Sequence, residues 1–542
     1  MNTTIPVRQV GLAGQIKDIT NSDIPLQGVR SARSCRIEDQ ALRSYSDAEV
    51  YLDSVAGQTY LFSHPYWRIT GEGWIVVSKV TAPLSIKVEF VTPAGGRTDI
   101  SPISTLDVNA TEWYAVQLGE WFILTNNGAI DNPQWTDTAL TQLVNMAGWP
   151  TNYKCSVIEV YKNFLFAVGI TKTGAAAAEE SRMVKWSHPY AAGDTTTYWD
   201  YTDPTILAGE TLLAEPGRAL TALQPFRDSL MVFFDRRTWR ADYVGGQFVF
   251  NFQQVFSDDG CVGPQSHVAT QDGAIVFGHR DIYIHDGSTK RSLTDLRMTR
   301  YIYDSADLSF SPVGAWHPKR NEIMFLCRTY TSGEANLFFI ANTIHDYAWT
   351  EVISELNGNG VLTHISVGPR PAGGSITYAD WTTEVYNAFN DATYSSLSGQ
   401  DETVTMMGTS VSQNVIWNMD YAGATAPVTI FRRDALIEHR GIDLDELGMG
   451  ANKIIYLNRI LPQMIGAGVV KFTLGTHATP GGSITWKPPV TYDLDDATDY
   501  AVDIRAAGRY LAYRLEPNDP LNPALFSLAG MDLEVSTPRG KR

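Results

Sequence analysis

Short apolar runs, each introduced by a turn-forming residue, recur along the chain. They begin at Gly73, Glu120, Asn163, Asp228, Gly273, Asn321 and Gly374, and read Gly73–Val77, Glu120–Leu124, Asn163–Ala167, Asp228–Phe233, Gly273–Phe277, Asn321–Leu326 and the weaker Gly374–Tyr378. Runs of this length with no alternation suit strands buried on both faces. Most starts lie roughly 43–54 residues apart, close to the 40–50 residues of a propeller blade. The third interval is longer. It contains the alanine-rich stretch 174–181 and the segment Gly193–Thr197, both expected to be loops.

A second strand often follows each run. In Thr238–Tyr243 and Asp281–His285 apolar and polar residues alternate, the mark of a strand with one face more buried than the other. Asn336–Ile340 is a third example, apolar after its first residue. Gly245-Gly246 and Asp286-Gly287 come directly afterwards and supply turns. A four-stranded unit cannot bury both faces alone, and stacking such units around an axis solves this. The pattern therefore predicts an all-β chain with a β-propeller of six to eight blades over residues 50–395.

From residue 396 onward the repeat is lost. Ile454–Leu457, Val469–Leu474, Tyr510–Leu515 and Met531–Val535 read as strands separated by turns such as Pro480-Gly481-Gly482 and Pro488-Pro489. Residues 396–542 are expected to form a compact C-terminal β-sandwich or barrel. Residues 1–49 are expected to be an arm that contributes to that domain or closes the propeller. Helix signals are few: one turn at Asp495–Tyr500 and a short helix at Ser44–Val55. The basic tail Thr537–Arg542 is expected to be mobile.

Composition narrows the function. The 542 residues allow two to four domains, with 44% hydrophobic residues to build their cores. The net charge of −17 opposes a phosphate-gripping surface and suits a wall that lets DNA pass without holding it, or simply solubility. The cysteines, at 35, 155, 261 and 327, form no Cys-x-x-Cys pair, so core thiols in a reducing cytosol are expected rather than a metal knuckle or disulfide framework. Met1–Gly14 has no signal-like apolar run and no stretch is long enough to span a membrane, so a cytoplasmic product is expected.

Candidate chemistry is thin. His279, Arg280, Asp281, His285 and Asp286 form the richest titratable cluster, but the alternation puts Asp281, Tyr283 and His285 on one strand face without a further ligand at zinc spacing. A hairpin with polar tips is the plainer reading. Ser257-Asp258-Asp259-Gly260 approaches the Asp-box of sialidase propellers, yet its Asp and Gly are adjacent and no Thr-Trp follows, so it reads as a turn. Asp495-Asp496 and Asp443/Asp445/Glu446 lie in polar, turn-like sequence where solvated carboxylates are usual. No Gly-x-Ser-x-Gly elbow and no phosphate-binding Gly-x-x-x-x-Gly-Lys is present. The aromatic residues can lock blades together or stack on sugars. No catalytic, cofactor-binding or metal-binding residue is assigned, and no cofactor is expected.

The stretch Ile158–Asp286 contains Tyr161–Ala167, Val184–Pro189, Thr197–Asp200, Ala222–Phe233, Thr238–Arg240, Tyr243–Gly246, Asp259–Pro264 and the run Phe277–Gly287 that closes it. Through these pieces it resembles the tail nozzle (hub, or tail tubular) proteins of short-tailed bacteriophages of the podovirus type. Asn126–Gly128, Asn132–Gln134, Asp23–Gly28 and Gly508–Arg514 are also similar, whereas Ser34–Ile37 departs from the family's lead-in. The resemblance implies a non-enzymatic virion protein, made in the host bacterial cytoplasm. It implies a homohexameric ring that extends the DNA-ejection channel below the portal and adaptor (the head-to-tail connector), carries tail fibres or tailspikes, and is closed by a tail plug or needle until genomic DNA passes. It also implies a fold that combines a propeller with a β-platform, and on this expectation residues 396–542 form the platform that faces the adaptor. The alternative from a different class is a phage-associated glycan-binding or glycan-cleaving propeller, which requires a pocket with convergent carboxylates and aromatics.

Overall fold

The computed structural model describes residues 2–45, 48–127, 131–136, 139, 141–173, 178–191, 194–214, 219–246, 248–329, 335–356, 359–360, 362–370, 404–410, 414–419, 434–443, 454–479, 481–496, 498–519 and 524–536. They are almost entirely β, arranged as a seven-bladed propeller joined to a two-sheet platform.

Blade 1 is the antiparallel meander Gln58–Tyr66, Gly73–Thr81, Leu84–Val91 and Arg97–Asp99, innermost strand first. Blade 2 is Trp113–Leu118, Trp121–Asn126, Gln134–Thr136 and Leu143–Asn145. Blade 3 is Val157–Tyr161, Phe164–Val168, Met183–Trp186 and Gly209–Leu212. Blade 4 is Leu220–Phe226, Ser229–Phe234, Thr238–Tyr243 and Phe250–Phe256. Blade 5 is His267–Ala269, Ala274–Phe277, Ile282–His285 and Lys290–Ser292. Blade 6 is Val313–His317, Glu322–Arg328, Ala335–Asn342 and Ala348–Ile353.

Blade 7 takes its three inner strands, His364–Pro369, Val404–Ser410 and Val415–Asn418, from the middle of the chain. Its outer strand, Glu49–Leu52, comes from near the N-terminus. The inner strands follow one another around an axis, and that of blade 7 returns to that of blade 1. Each of the seven blade interfaces encloses its own apolar cluster.

Six of the seven periodic runs are the second strands of blades 1–6. They are uniformly buried, as in Trp74–Val77 and Leu230–Phe234, because a neighbouring blade covers each face. The alternating runs are third strands. The seventh run, Gly374–Tyr378, lies outside the described residues; the second strand of blade 7 is Val404–Ser410. The propeller therefore extends to Asn418, which moves the boundary expected at 396. The polar and Met-rich sequence of 404–418 lacks the apolar density of the other runs, so the pattern could not show that it is a blade.

The platform is assembled from both ends of the chain. One sheet runs Ala506–Gly508, Ile455–Ala467, Leu525–Ser536, Ala41–Ser44 and Cys35–Glu38, with Asn2–Arg8 also alongside Leu525–Ser536. The other runs Ser31–Arg33, Leu436–Asp443, Tyr510–Pro517, Val469–His477 and Thr485–Trp486, with Val490–Asp493 beside Val469–His477. Their inner faces share one core that includes Leu457, Ile460, Phe472, Leu474, Leu511, Leu528 and Leu533. This is a sandwich, and the two sheets do not close into a barrel.

The second sheet is continuous with blade 6, because Ala348–Ile353 pairs in parallel with Ser31–Arg33 through Glu351 and Arg33. The buried ion pair Arg36–Glu322 (3.7 Å) and the Asn342 Nδ2 donation to the Ile37 carbonyl (3.0 Å) reinforce this joint.

Two local expectations are corrected, and one element that was not expected is present. The described residues of Ser44–Val55 are not helical: they hold the end of strand Ala41–Ser44 and the closing strand Glu49–Leu52. Within 174–181, residues Ala178–Glu180 form a strand against Ile170–Lys172. The one α-helix among the described residues, α1 (Thr299–Ser305), sits between blades 5 and 6 and buries Ile302 in their core. Its seven residues are too few to show a helical period.

The seam between blades 7 and 1 is held by Trp74, whose Nε1 donates to the Pro369 carbonyl at 2.9 Å, and by the Ser63–Thr409 hydroxyl pair at 2.8 Å. Trp74→Ala is expected to cost about 3–5 kcal/mol through loss of packing and hydrogen bond. Trp74→Phe should cost clearly less, and chemical denaturation of both variants checks the order.

Candidate functional site

The axis of the propeller is the first place to look. A cavity of about 250 Å³ is lined there by inner-strand residues, among them His64, Tyr114, His267, Ala315, His364 and Ser366. This lies just below the usual range for small-molecule sites, about 300–1,000 Å³. The cavity is also bridged. Gln265, just ahead of the inner strand of blade 5, donates from Nε2 to the Trp113 carbonyl of blade 2 at 3.0 Å.

Burial shifts the titratable groups along the inner strands toward their neutral forms. Desolvation lowers His64 and His267 to about 4 and His364 to about 3. Burial raises the Glu159 carboxyl to about 7, where the Tyr114 hydroxyl donates to it at 2.5 Å. Uncharged groups around a bridged axis pack blades together; they do not form a polar passage.

The residues singled out from sequence do not converge. His285 is buried beside Phe226, Phe233 and Phe256, and its Nδ1 accepts from the Gly287 amide at 3.2 Å. Asp281 accepts from the Thr294 hydroxyl at 2.6 Å. Asp286 accepts from the amides of Ser288 and Thr289 in an exposed turn, and those bonds hold its carboxyl well below the usual range. Asp259 pairs with Lys290, and its carbonyl accepts from the Thr238 hydroxyl. A Cβ on Gly260 would lie 2.0 Å from the Phe234 carbonyl, so glycine there permits a close backbone approach.

Asp495 accepts from the Gly468 amide and Asp496 from Thr498. Asp443 ends a platform strand, while Asp445 and Glu446 lie outside the described residues. All four cysteines are buried free thiols, pushed upward by desolvation. Among the described residues no three His, Cys, Asp or Glu side chains are grouped as a metal site.

A second concavity was not visible in the sequence. An open cleft of about 550 Å³ lies where helix α1 of the propeller faces platform strands Leu436–Asp443 and Tyr510–Pro517. Five cations line it, Lys17, Arg30, Arg300, Arg440 and Arg514, against the carboxylates Asp18, Asp304 and Glu438.

Each carboxylate is occupied from within. Asp18 accepts from the amides of Arg300 and Tyr301, Asp304 pairs with Arg300, and buried Glu438 pairs with both Arg440 and Arg514. Lys17 reaches Glu351 at 3.9 Å and lies over the Tyr301 ring. Burial lowers Lys17, and burial together with nearby Arg440 lowers Arg30. The cleft carries an excess of positive charge in an acidic chain. Its residues come from positions hundreds apart, and the only sequence signal is the alternation Glu438-His439-Arg440, which is ordinary for a strand.

No protein-family model and no curated protein matches the chain. Among solved structures, an exo-β-1,3-galactanase from Phanerochaete chrysosporium aligns over 91% of this chain and 100% of its own, at 7% identity and TM-score 0.25. The Aleuria aurantia lectin aligns over 55% and 95%, at 9% identity and TM-score 0.30. An acylaminoacyl peptidase of Pyrococcus horikoshii aligns over 58% and 50%, at 10% identity and TM-score 0.33. Likenesses this slight carry no functional argument.

Two outcomes are expected. His64, His267, His285 and His439 fall to about 4 and His364 to about 3, all from 6.5, so their stabilising effect is complete above pH 6.5 and is lost as pH falls toward 4. Glu159 acts oppositely: its contribution is complete below pH 4.5 and is lost as pH rises toward about 7. The five histidines outweigh it, so thermal midpoints should drop between pH 7 and 4.5. His285→Phe should remove close to one proton from the uptake on unfolding. Separately, Glu438→Gln strips a charged acceptor from two arginines that still reach water, and denaturant titration should show a loss of about 1–3 kcal/mol.

Proposed function

We propose that the chain is a structural subunit of the tail nozzle of a short-tailed bacteriophage, acting without catalysis. The observation that carries this reading is the union of a closed propeller with a β-platform, the combination that the resemblance over Ile158–Asp286 implies. A continuous sheet and a buried ion pair at the joint make platform and blade 6 one stiff arm, which suits a part that must hold its shape under load. The bridged propeller axis supports a channel running between copies and not through the blades. An acidic chain suits a conduit that must release DNA.

On this reading copies assemble into a homohexameric ring between the adaptor and the fibres or spikes. The test is electron microscopy of the purified protein at high concentration, alone and with its adaptor, together with its mass in solution. A six-membered ring with an open axial channel is the expected result. A monomer that stays single in the presence of the adaptor, and releases or binds sugar in a reducing-sugar assay and glycan screen, would overturn the reading in favour of a glycan-directed propeller.

A further inference from the structure

The cationic cleft lacks a carboxylate to spare, and its acids are already engaged by its own side chains and amides. Among the described residues the Arg30 guanidinium has only the Ile19 carbonyl as a hydrogen-bond acceptor, at 3.0 Å. A cleft of this kind gains from an acidic group brought from outside.

The same chain displays such a group on blade 3, three blades round the ring from the cleft's own blade 6. There Asp200 is exposed and Asp203 half-exposed, in a loop that also carries the exposed rings of Tyr198 and Tyr201. The loop is already ordered. Thr202 donates from its amide and hydroxyl to Asp200 Oδ1 at 2.9 and 2.6 Å, and Thr205 does the same for Asp203 Oδ1 at 2.8 and 2.6 Å. Each carboxylate keeps its Oδ2 for an outside donor. Buried Trp199 anchors the loop through its Nε1 donation to Thr197 (2.8 Å) and its edge-on contact with Trp149. Exposed tyrosines on a fixed backbone are efficient interface residues, because little entropy is lost on docking.

We propose that the cleft formed by Lys17, Arg30, Arg440 and Arg514 receives the Asp200–Asp203 loop of a neighbouring copy of this chain. The inference rests on the nozzle reading and gives it a subunit contact. Loop and cleft are different surfaces on separate sides of one molecule, so the contact is heterologous, the type that repeats around a ring. Charge complementarity selects the occupant: a copy with an acidic, aromatic loop meets a cleft with more cations than anions.

The test uses full-length chains and sedimentation equilibrium. Arg30→Glu alters the cleft at a side chain that reaches water, and Asp200→Lys with Asp203→Lys alters the loop at exposed positions; unchanged circular dichroism and thermal midpoints verify folding. Either variant alone should self-associate at least about tenfold more weakly than the wild type, since like charges now meet. Mixed one to one, they should form at least a heterodimer, because one intact loop still faces one intact cleft and the reversed loop and cleft now carry opposite charges. Wild-type assembly by either variant, no heterodimer from the mixture, or a wild type that remains monomeric at high concentration each overturns the contact. Rings that persist in the variants overturn the contact while leaving the nozzle reading in place. Absence of the protein from the tails of purified phage, probed with a specific antibody, removes the nozzle reading itself.

Discussion

Closure of the propeller is the constraint on which the rest depends. Seven sheets stacked around an axis have no first or last member only if blade 7 is completed, and its outer strand, Glu49–Leu52, lies more than three hundred residues before its neighbours in the chain. Without that strand, Val415–Asn418 would be a free edge and the core between blades 7 and 1 would lose Leu52. The strands Asn2–Arg8, Ser31–Arg33, Cys35–Glu38 and Ala41–Ser44, which precede it, belong to the platform. One short stretch therefore fixes both bodies, and neither can form independently of the chain's beginning.

The joint follows from the same economy of chain. Ser31–Arg33 lies between blade 6 and the platform strand Leu436–Asp443, so hydrogen bonding passes from propeller to platform without a break. At that joint the charged residues gather: Arg36 with Glu322, Lys17 with Glu351, Arg440 and Arg514 with Glu438. Buried ion pairs contribute modestly to net stability but are costly to break, so they hold one alignment of the two bodies against others. The cleft beside them is a consequence of bringing a helix-bearing blade connection against a platform strand.

His64, His267, His364 and Glu159 show how the propeller treats polar residues near its centre. The blades pressed against them favour their uncharged forms, and the His267 and His364 Nε2 atoms, like that of His285 in the third strand of blade 5, lie buried without a hydrogen-bond partner among the described residues. Titratable groups in such positions look like catalytic candidates in sequence. In the fold they are packing elements with a polar edge, and their main consequence is sensitivity of the structure to acid.

Much of the architecture was legible in the order of residues. A wholly apolar run after a turn residue marks a strand covered on both faces, and six of the seven runs proved to be the second strands of blades. Val469–His477 showed its alternation in the same way, with Val470, Phe472 and Leu474 turned into the platform core. The periodicity survived because those strands are buried by neighbours that repeat. The last blade did not announce itself, since Val404–Ser410 is rich in Thr and Ser, and its outer strand was read as helix. Helix α1 was too short to carry a period. The cleft was invisible for a different reason. Lys17, Arg30, Arg300, Arg440 and Arg514 are each unremarkable where they stand, and only the pairing of an N-terminal strand with blade 6 on one side and Leu436–Asp443 on the other brings them together. Local burial is written along the chain, whereas the meeting of distant charged side chains is decided by strand pairing between segments hundreds of residues apart.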